Sequence, residues 1–293
     1  MILVTGANGF IGRSVVKALS EENEVIALDK SAPDSSMKGI NTFVECDIAD
    51  IPGLERIFKQ FRIAGIIHLA SLLNTRSNQN PGLATRTNIM GSLNLLDLSL
   101  KYQVERFIYG SSISIYGPLD TDEKNPVNEH AGTNPSTLYG LTKKYVEFLG
   151  NKYSEDHHID FITLRISSVI GPGATNTASP WRSEIYDRNF KGSVTLPYDR
   201  NEKLPLIFIE NIAVMAKVLC QNKSVPHRIY NTPSETWNIS DLEMIVRKRN
   251  PGLRFTYGKM RANDIPRHID GSLYLNDFRF NPVSVENSLS EYY

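Results

Sequence analysis

The chain of 293 residues carries 32 Lys plus Arg against 32 Asp plus Glu, a formal net charge of zero, and is 41% hydrophobic. That length buries a sizeable core in one large α/β domain or a main domain with a smaller lobe. The charge balance leaves no long-range field to gather nucleic acid, an anionic membrane or an acidic partner, so a ligand must be captured locally. Cys46 and Cys220 stand far apart without metal-ligand spacing, so they read as free thiols in a reducing compartment, with no metal site or disulfide expected.

Met1 leads straight into an apolar run at 2–5, without a basic leader, a long apolar stretch or a cleavage signal; this predicts a cytoplasmic protein with no membrane segment. Short apolar runs at 2–5, 25–28, 42–46, 66–70, 106–109 and 161–166 predict strands. The stretches at 10–19, 51–60, 82–101 and 136–153 between them predict helices. Such alternation argues for a doubly wound parallel sheet. Beyond Gly171-Pro172-Gly173 the pattern loosens, and residues 174–180, rich in Thr, Ser, Asn and Pro, read as a loop suited to a substrate lid. Helices near 212–221 and 239–249, a strand at 253–257 and a terminal helix from 283 complete the chain, while Asn201-Glu202-Lys203 reads as a solvated turn.

The first strand runs into Thr5-Gly-Ala-Asn-Gly-Phe-Ile-Gly12. Glycines at Gly6, Gly9 and Gly12 allow a tight turn, close backbone approach to a pyrophosphate and close helix-strand packing, and the helix that follows offers free N–H groups to the phosphates. The fold expected is therefore α/β: a Rossmann-type doubly wound parallel sheet with a smaller C-terminal substrate lobe. Residues 1–170 would bind the dinucleotide, with a return near 204–232, and 171–203 with 233–293 would form the lobe. Asp29 ends the second strand about 20 residues beyond the glycines, where a carboxylate accepts from ribose hydroxyls and repels a 2′-phosphate, favouring NAD over NADP. Asp29 can equally cap a turn, since Lys30 and Ser31 follow it. Asp47, after the third strand, stands where an adenine edge could lie.

Tyr139 and Lys143 are four residues apart in a helical stretch, about 40° apart around the axis. An ammonium beside a phenol favours phenolate, pulling tyrosine down from its usual value near 10 and making Tyr139 a general acid or base. Ser111 and Ser112 close a strand at its carboxyl end, the edge where open α/β sheets bind ligands. The residues themselves do not rank Ser111, Ser112 and Ser114 as the hydroxyl that holds the substrate oxygen. The chemistry implied is hydride transfer between a carbinol carbon and nicotinamide, with Lys143 also reaching the nicotinamide ribose. His68, among apolar neighbours at a strand end, reads as packing, and the adjacent His157 and His158 as exposed.

Together with His68-Leu-Ala70, Asn88-Ile-Met-Gly91, Ser111-Ser112 before Tyr116-Gly117, and Leu164-Arg165 before Gly171-Pro172-Gly173, these motifs resemble the extended short-chain dehydrogenase/reductases, the NAD-dependent epimerase/dehydratase family, over nearly the whole chain. The resemblance implies NAD as cofactor. It places the catalytic hydroxyl, four residues before the Tyr-Gly pair, at Ser112, with Tyr139 and Lys143 as its partners. It further implies cofactor contacts at Gly6, Gly9, Phe10, Ile11, Gly12, Asp29, Asp47, Ile48, Leu69, Ala70 and Asn88. Within the family, Leu69-Ala-Ser-Leu-Leu-Asn74, Pro135-Ser-Thr-Leu-Tyr-Gly140 and Leu204-Pro-Leu-Ile-Phe-Ile209 are similar to the L-threonine 3-dehydrogenase branch and, in part, to sugar-acid dehydrogenases. Nucleotide-sugar members carry diphosphate contacts where this chain has Ser168 and Leu204-Pro205. The Gly173-to-Arg182 loop departs from the threonine branch, and Ile113-Ser114 replaces the Asp-Glu of the dehydratases.

The expected substrate contacts are Asn74, Ser114, and Arg182 or Arg188, whose guanidinium could clamp a substrate carboxylate. The leading expectation is an NAD-dependent dehydrogenase of a small polar secondary alcohol, a hydroxy amino acid or sugar acid. A nucleotide-sugar 4-epimerase with tightly bound NAD is the alternative, and a non-catalytic NAD-binding sensor the third. The resemblance also implies a homodimer through the helices at 82–101 and 136–153.

Overall fold

The computed structural model describes residues 1–33, 37, 40, 42–174 and 179–293. Its first half alternates β1 (Ile2–Thr5), α1 (Phe10–Ser20), β2 (Val25–Asp29), β3 (Thr42–Glu45), α2 (Ile51–Gln60) and β4 (Gly65–His68). Then come the short helices α3 (Asn74–Gln79) and α4 (Pro81–Ala84), a π-helical turn (Thr85–Met90), α5 (Gly91–Lys101), β5 (Arg106–Ser112), α6 (Leu138–His157) and β6 (Asp160–Ile166). The second half adds β7 (Ser168–Ile170), α7 (Trp181–Glu184), β8 (Ser193–Tyr198), β9 (Lys203–Phe208), α8 (Ile209–Gln221), β10 (Ile229–Asn231), β11 (Glu235–Asn238), α9 (Ile239–Arg249), β12 (Arg254–Met260), α10 (Ser272–Phe278) and α11 (Val285–Tyr292).

Seven strands form one sheet in the order β10-β6-β5-β4-β1-β2-β3, and every pair in it is parallel. Their residues are apolar on both sides because helices cover both faces. Val4, Ala27, Ile67, Ile108 and Ile162 pack with Val15 and Leu19 of α1 and Ile212 and Leu219 of α8. The alternate residues Leu3, Ile26, Ile66, Phe107 and Phe161 pack with Leu54 and Ile57 of α2, Leu95 of α5 and Val146 of α6. Two small sheets stand outside this layer, β11-β9-β7 and the parallel pair β12-β8.

The structure departs from the sequence expectations in particular places. The strand expected at 66–70 stops at His68, because the Leu69 N–H turns to the Thr5 carbonyl (3.1 Å) and the Ala70 N–H to the Thr5 hydroxyl (3.3 Å). The helix expected at 82–101 is interrupted by the π-helical turn, which holds Asn88 in the interior. Glu202 is not solvated: it is 1% exposed and is met by Arg267 (3.0 Å) and Arg261 (3.3 Å). Of the lid expected at 174–180, residues 175–178 lie outside the described residues.

Candidate active site

The turn after β1 is built for a backbone that leaves no room for side chains. Gly6 sits at φ 69°, and a Cβ there would come within 2.7 Å of the Ala70 nitrogen; a Cβ on Gly12 would come within 2.0 Å of the Gly6 carbonyl. The N-cap of α1, Gly9, makes no side-chain cap hydrogen bond, which leaves the first amides, around Phe10 and Ile11, to be met by an anion such as a phosphate. Asp29 is bound into this turn. One carboxylate oxygen accepts the Asn8 N–H (3.1 Å), and the other accepts the Ser31 N–H (3.2 Å) and hydroxyl (2.9 Å). The turn-capping geometry and the end-of-strand position are thus combined in one side chain.

Around this cradle the other expected contacts divide into surface and scaffold. Asp47 is exposed and accepts the Ala49 N–H (2.9 Å). Ile48 is buried against Gly91, and its carbonyl accepts from Asn94 (3.0 Å). Leu69 and Ala70 line the turn after β4, half-buried. The Asn88 side chain is fully engaged: its oxygen accepts the Leu72 N–H (2.6 Å), and its amide donates to the Leu72 carbonyl (3.0 Å) and the Thr142 hydroxyl (3.0 Å). Asn88 therefore fixes the 69–72 turn against α6. His68 is buried between the Thr5 hydroxyl (2.6 Å) and the Ser92 hydroxyl (2.8 Å), and burial, aided by Lys143, drives it down to about 3. It is neutral and structural.

At the end of β5 the two adjacent serines face opposite ways, as successive strand residues must. The Ser111 hydroxyl donates to Glu147. The Ser112 hydroxyl lies 3.1 Å from that of Ser114 and hydrogen-bonds Tyr139. Ser71, which sequence reasoning quoted within Leu69-Ala-Ser-Leu-Leu-Asn74 but did not single out, also hydrogen-bonds Tyr139; its position depends on the turn after β4. Lys143 is 2% exposed, with Nζ donating to the Gly110 carbonyl (2.6 Å) and standing 5.6 Å from the centre of the Tyr139 ring. The lowered tyrosine expected from this pair is not found. Tyr139 keeps some exposed surface, but its phenol end is enclosed. Burial pushes Tyr139 up to about 12, opposed by the two serine bonds, and brings Lys143 down to about 7, opposed by Glu147. In a dry site the desolvation of either charge outweighs their mutual attraction.

The expected substrate side chains surround this centre unequally. Ser114 is buried beside Ser112, and the Asn74 amide donates to Asp264 (3.2 Å). Arg182 donates to the Val169 carbonyl (2.9 Å), stacks on Trp181 with its guanidinium 5.1 Å from the ring centre, and hydrogen-bonds Tyr198. Arg188 is exposed.

The pattern of the NAD dependent epimerase/dehydratase family matches residues 2–232. The chain belongs to this family. As a member it is an NAD-dependent oxidoreductase with a Rossmann-like fold, and the glycine cradle, where any Cβ would fill the space, fits that cofactor. The mitochondrial L-threonine 3-dehydrogenase of Bos taurus is 27% identical over 266 residues, covering 87% of this chain and 70% of its own. A putative UDP-glucose 4-epimerase of Methanocaldococcus jannaschii is 36% identical over 281 residues, covering 91% and 88%. A monomeric L-threonine 3-dehydrogenase of metagenomic origin superposes with a TM-score of 0.83 at 27% identity, covering 99% of this chain and 96% of that one.

Proposed function

We propose that this enzyme interconverts a small polar secondary alcohol and its ketone, the alcohol being a hydroxy amino acid or a sugar acid. The observation that carries the reading is Arg182: a guanidinium enclosed by a carbonyl, a phenol and an indole, with no carboxylate partner among the described residues. It lies against Val169, three residues beyond Ile166, which pairs with Ser112, so Arg182 is held to the chain that leaves the strand neighbouring Ser112, about 11 Å of extended backbone further on. A substrate carboxylate there gains a bidentate partner. The positions where nucleotide-sugar relatives contact a diphosphate hold Leu204, fully buried in β9, and Pro205.

Ser112 holds the substrate oxygen, and Tyr139 moves the alcohol proton while Lys143 stabilises the phenolate and reaches the nicotinamide ribose. Bound NAD supplies the hydride acceptor. Ser114 and Asn74 contact the rest of the substrate. Residues 1–170 with 204–232 hold the cofactor, and the remainder shapes the substrate pocket. The two free thiols, Cys46 and Cys220, suit a reducing compartment such as the cytoplasm. Leu141, Tyr145 and Phe148 form an exposed apolar stripe on α6, 49–64% exposed; it supports a homodimer packed through α5 and α6.

The 36% identity to a putative UDP-glucose 4-epimerase favours the second reading, an epimerase that retains NAD. The deciding experiment follows NADH formation by purified protein with added NAD over threonine, other hydroxy amino acids, aldonates and uronates. Turnover is expected on one of these. Net NADH from none, with NAD already bound and UDP-glucose converted to UDP-galactose, overturns the dehydrogenase.

A further inference from the structure

We propose that Glu147 is a positioning residue for the reaction: its carboxylate, pinned by Arg165 and Ser111, keeps the proton on Lys143 and so lets Tyr139 carry the negative charge. This rests on the reading of Tyr139 and Lys143 as the proton-transfer couple.

Three side chains of α6, four residues apart, meet three consecutive residues of β5. Tyr139 bonds Ser112, Lys143 donates to the Gly110 carbonyl, and Glu147 accepts from Ser111. Glu147 is 5% exposed. Its carboxylate is held by Arg165, with Nη2 at 2.8 Å from one oxygen and Nε at 3.2 and 3.3 Å from the two. Arg165 is held in turn through Nη1 by the Tyr116 hydroxyl (2.8 Å) and the Glu129 carbonyl (3.0 Å). The Glu147–Arg165 contact is a buried ion pair, and one that lost either member would leave the other uncompensated.

The groups facing Lys143 leave that charge without a rival. On β5 it meets the Gly110 carbonyl and the Tyr109 ring, 4.7 Å to its centre. On β4 it faces His68, which burial keeps neutral. On α6 it faces Tyr139 and Glu147. Arg165, on β6, pairs with Glu147. With one proton between Lys143 and Tyr139, the couple is either ammonium with phenolate or amine with phenol. Burial favours the neutral form, and Glu147 is the carboxylate that opposes it at the lysine. Only the charged form takes a proton from the alcohol.

The test is the titration of Lys143 in the apo protein, read by NMR of the ε-carbon in 13C-lysine-labelled protein and assigned by its loss in Lys143→Met. Glu147→Gln is expected to lower the Lys143 midpoint by about one pH unit, equivalent to about tenfold in the charged fraction. Glu147→Asp, which keeps the carboxylate, restores the wild-type midpoint. In turnover, Glu147→Gln lowers kcat about tenfold and moves the acid limb of kcat/KM downward by the same interval, a shift that loss of packing alone does not produce. Should Glu147→Gln not fold, Glu147→Met with Arg165→Met replaces the pair by apolar chains, an exchange buried pairs often tolerate, with the same shift expected. An unmoved Lys143 midpoint in the folded variant overturns the proposal, even in an enzyme that turns over. A shifted midpoint in a protein that oxidises none of the alcohols leaves Glu147 its role and removes the dehydrogenase reading instead.

Discussion

At the scale of single residues, the proton couple makes the sharpest demand. Tyr139→Phe keeps the ring against Lys143 but removes the hydroxyl that Ser112 and Ser71 bond. Its kcat is expected to fall by about 10²-fold or more while NAD affinity, read by fluorescence titration, stays unchanged; undiminished turnover refutes the assignment. His68 carries a stability consequence. Held near 3 in the fold against 6.5 in the open chain, it leaves the unfolded state binding the extra proton between those values, so stability falls as pH drops below 6.5. About 2–3 kcal/mol should be lost between pH 7 and pH 4.5 from this group. Urea unfolding at the two pH values checks this, with His68→Asn expected to flatten the difference. That Tyr139 and Lys143 stand side by side on α6 could be read from their spacing; the energetic balance between them could not. It depends on how deeply α6 is packed on β5, which is a property of the assembled layers. Likewise the period of two says that Ser111 and Ser112 face opposite sides, but only the register of β5 against β6 says which side holds Glu147.

Among elements, the glycine turn is the least forgiving. Gly12→Ala would place its methyl 2.0 Å from the Gly6 carbonyl, and the expected result is an NAD affinity lowered more than about tenfold and a loss of about 1–3 kcal/mol from overpacking. Calorimetric NAD titration and thermal unfolding measure both, and wild-type values in each would show that the turn relaxes without penalty. The elements that could be read are each a continuous apolar run or an amphipathic stretch bounded by turn residues. α2 (Ile51–Gln60) and α9 (Ile239–Arg249) have the bounds their patterns give. The missed elements lack that local signature. α3 reads Asn-Thr-Arg-Ser-Asn-Gln, with no apolar residue to mark a face. β8 finds its parallel partner only in β12, far along the chain, so neither strand announces the other. The Glu202 turn was misread because its buffering arginines arrive from residues 261 and 267.

For the whole molecule, the apolar stripe Leu141, Tyr145 and Phe148 is the feature to perturb. Phe148→Glu places a charge on the proposed dimer face, and sedimentation velocity should show a dimeric wild type and a monomeric variant. A wild type that sediments as a monomer refutes the dimer. The sheet order has a consequence for biosynthesis. β6 gains its outer neighbour only when β10 arrives, about 60 residues later in the chain. At about 5–20 residues per second, a ribosome leaves that strand's hydrogen-bonding groups open for roughly 3–12 s. During that interval the nascent chain presents an unpaired edge to its neighbours on the polysome, so crowded translation is a condition under which this fold is exposed to misassembly.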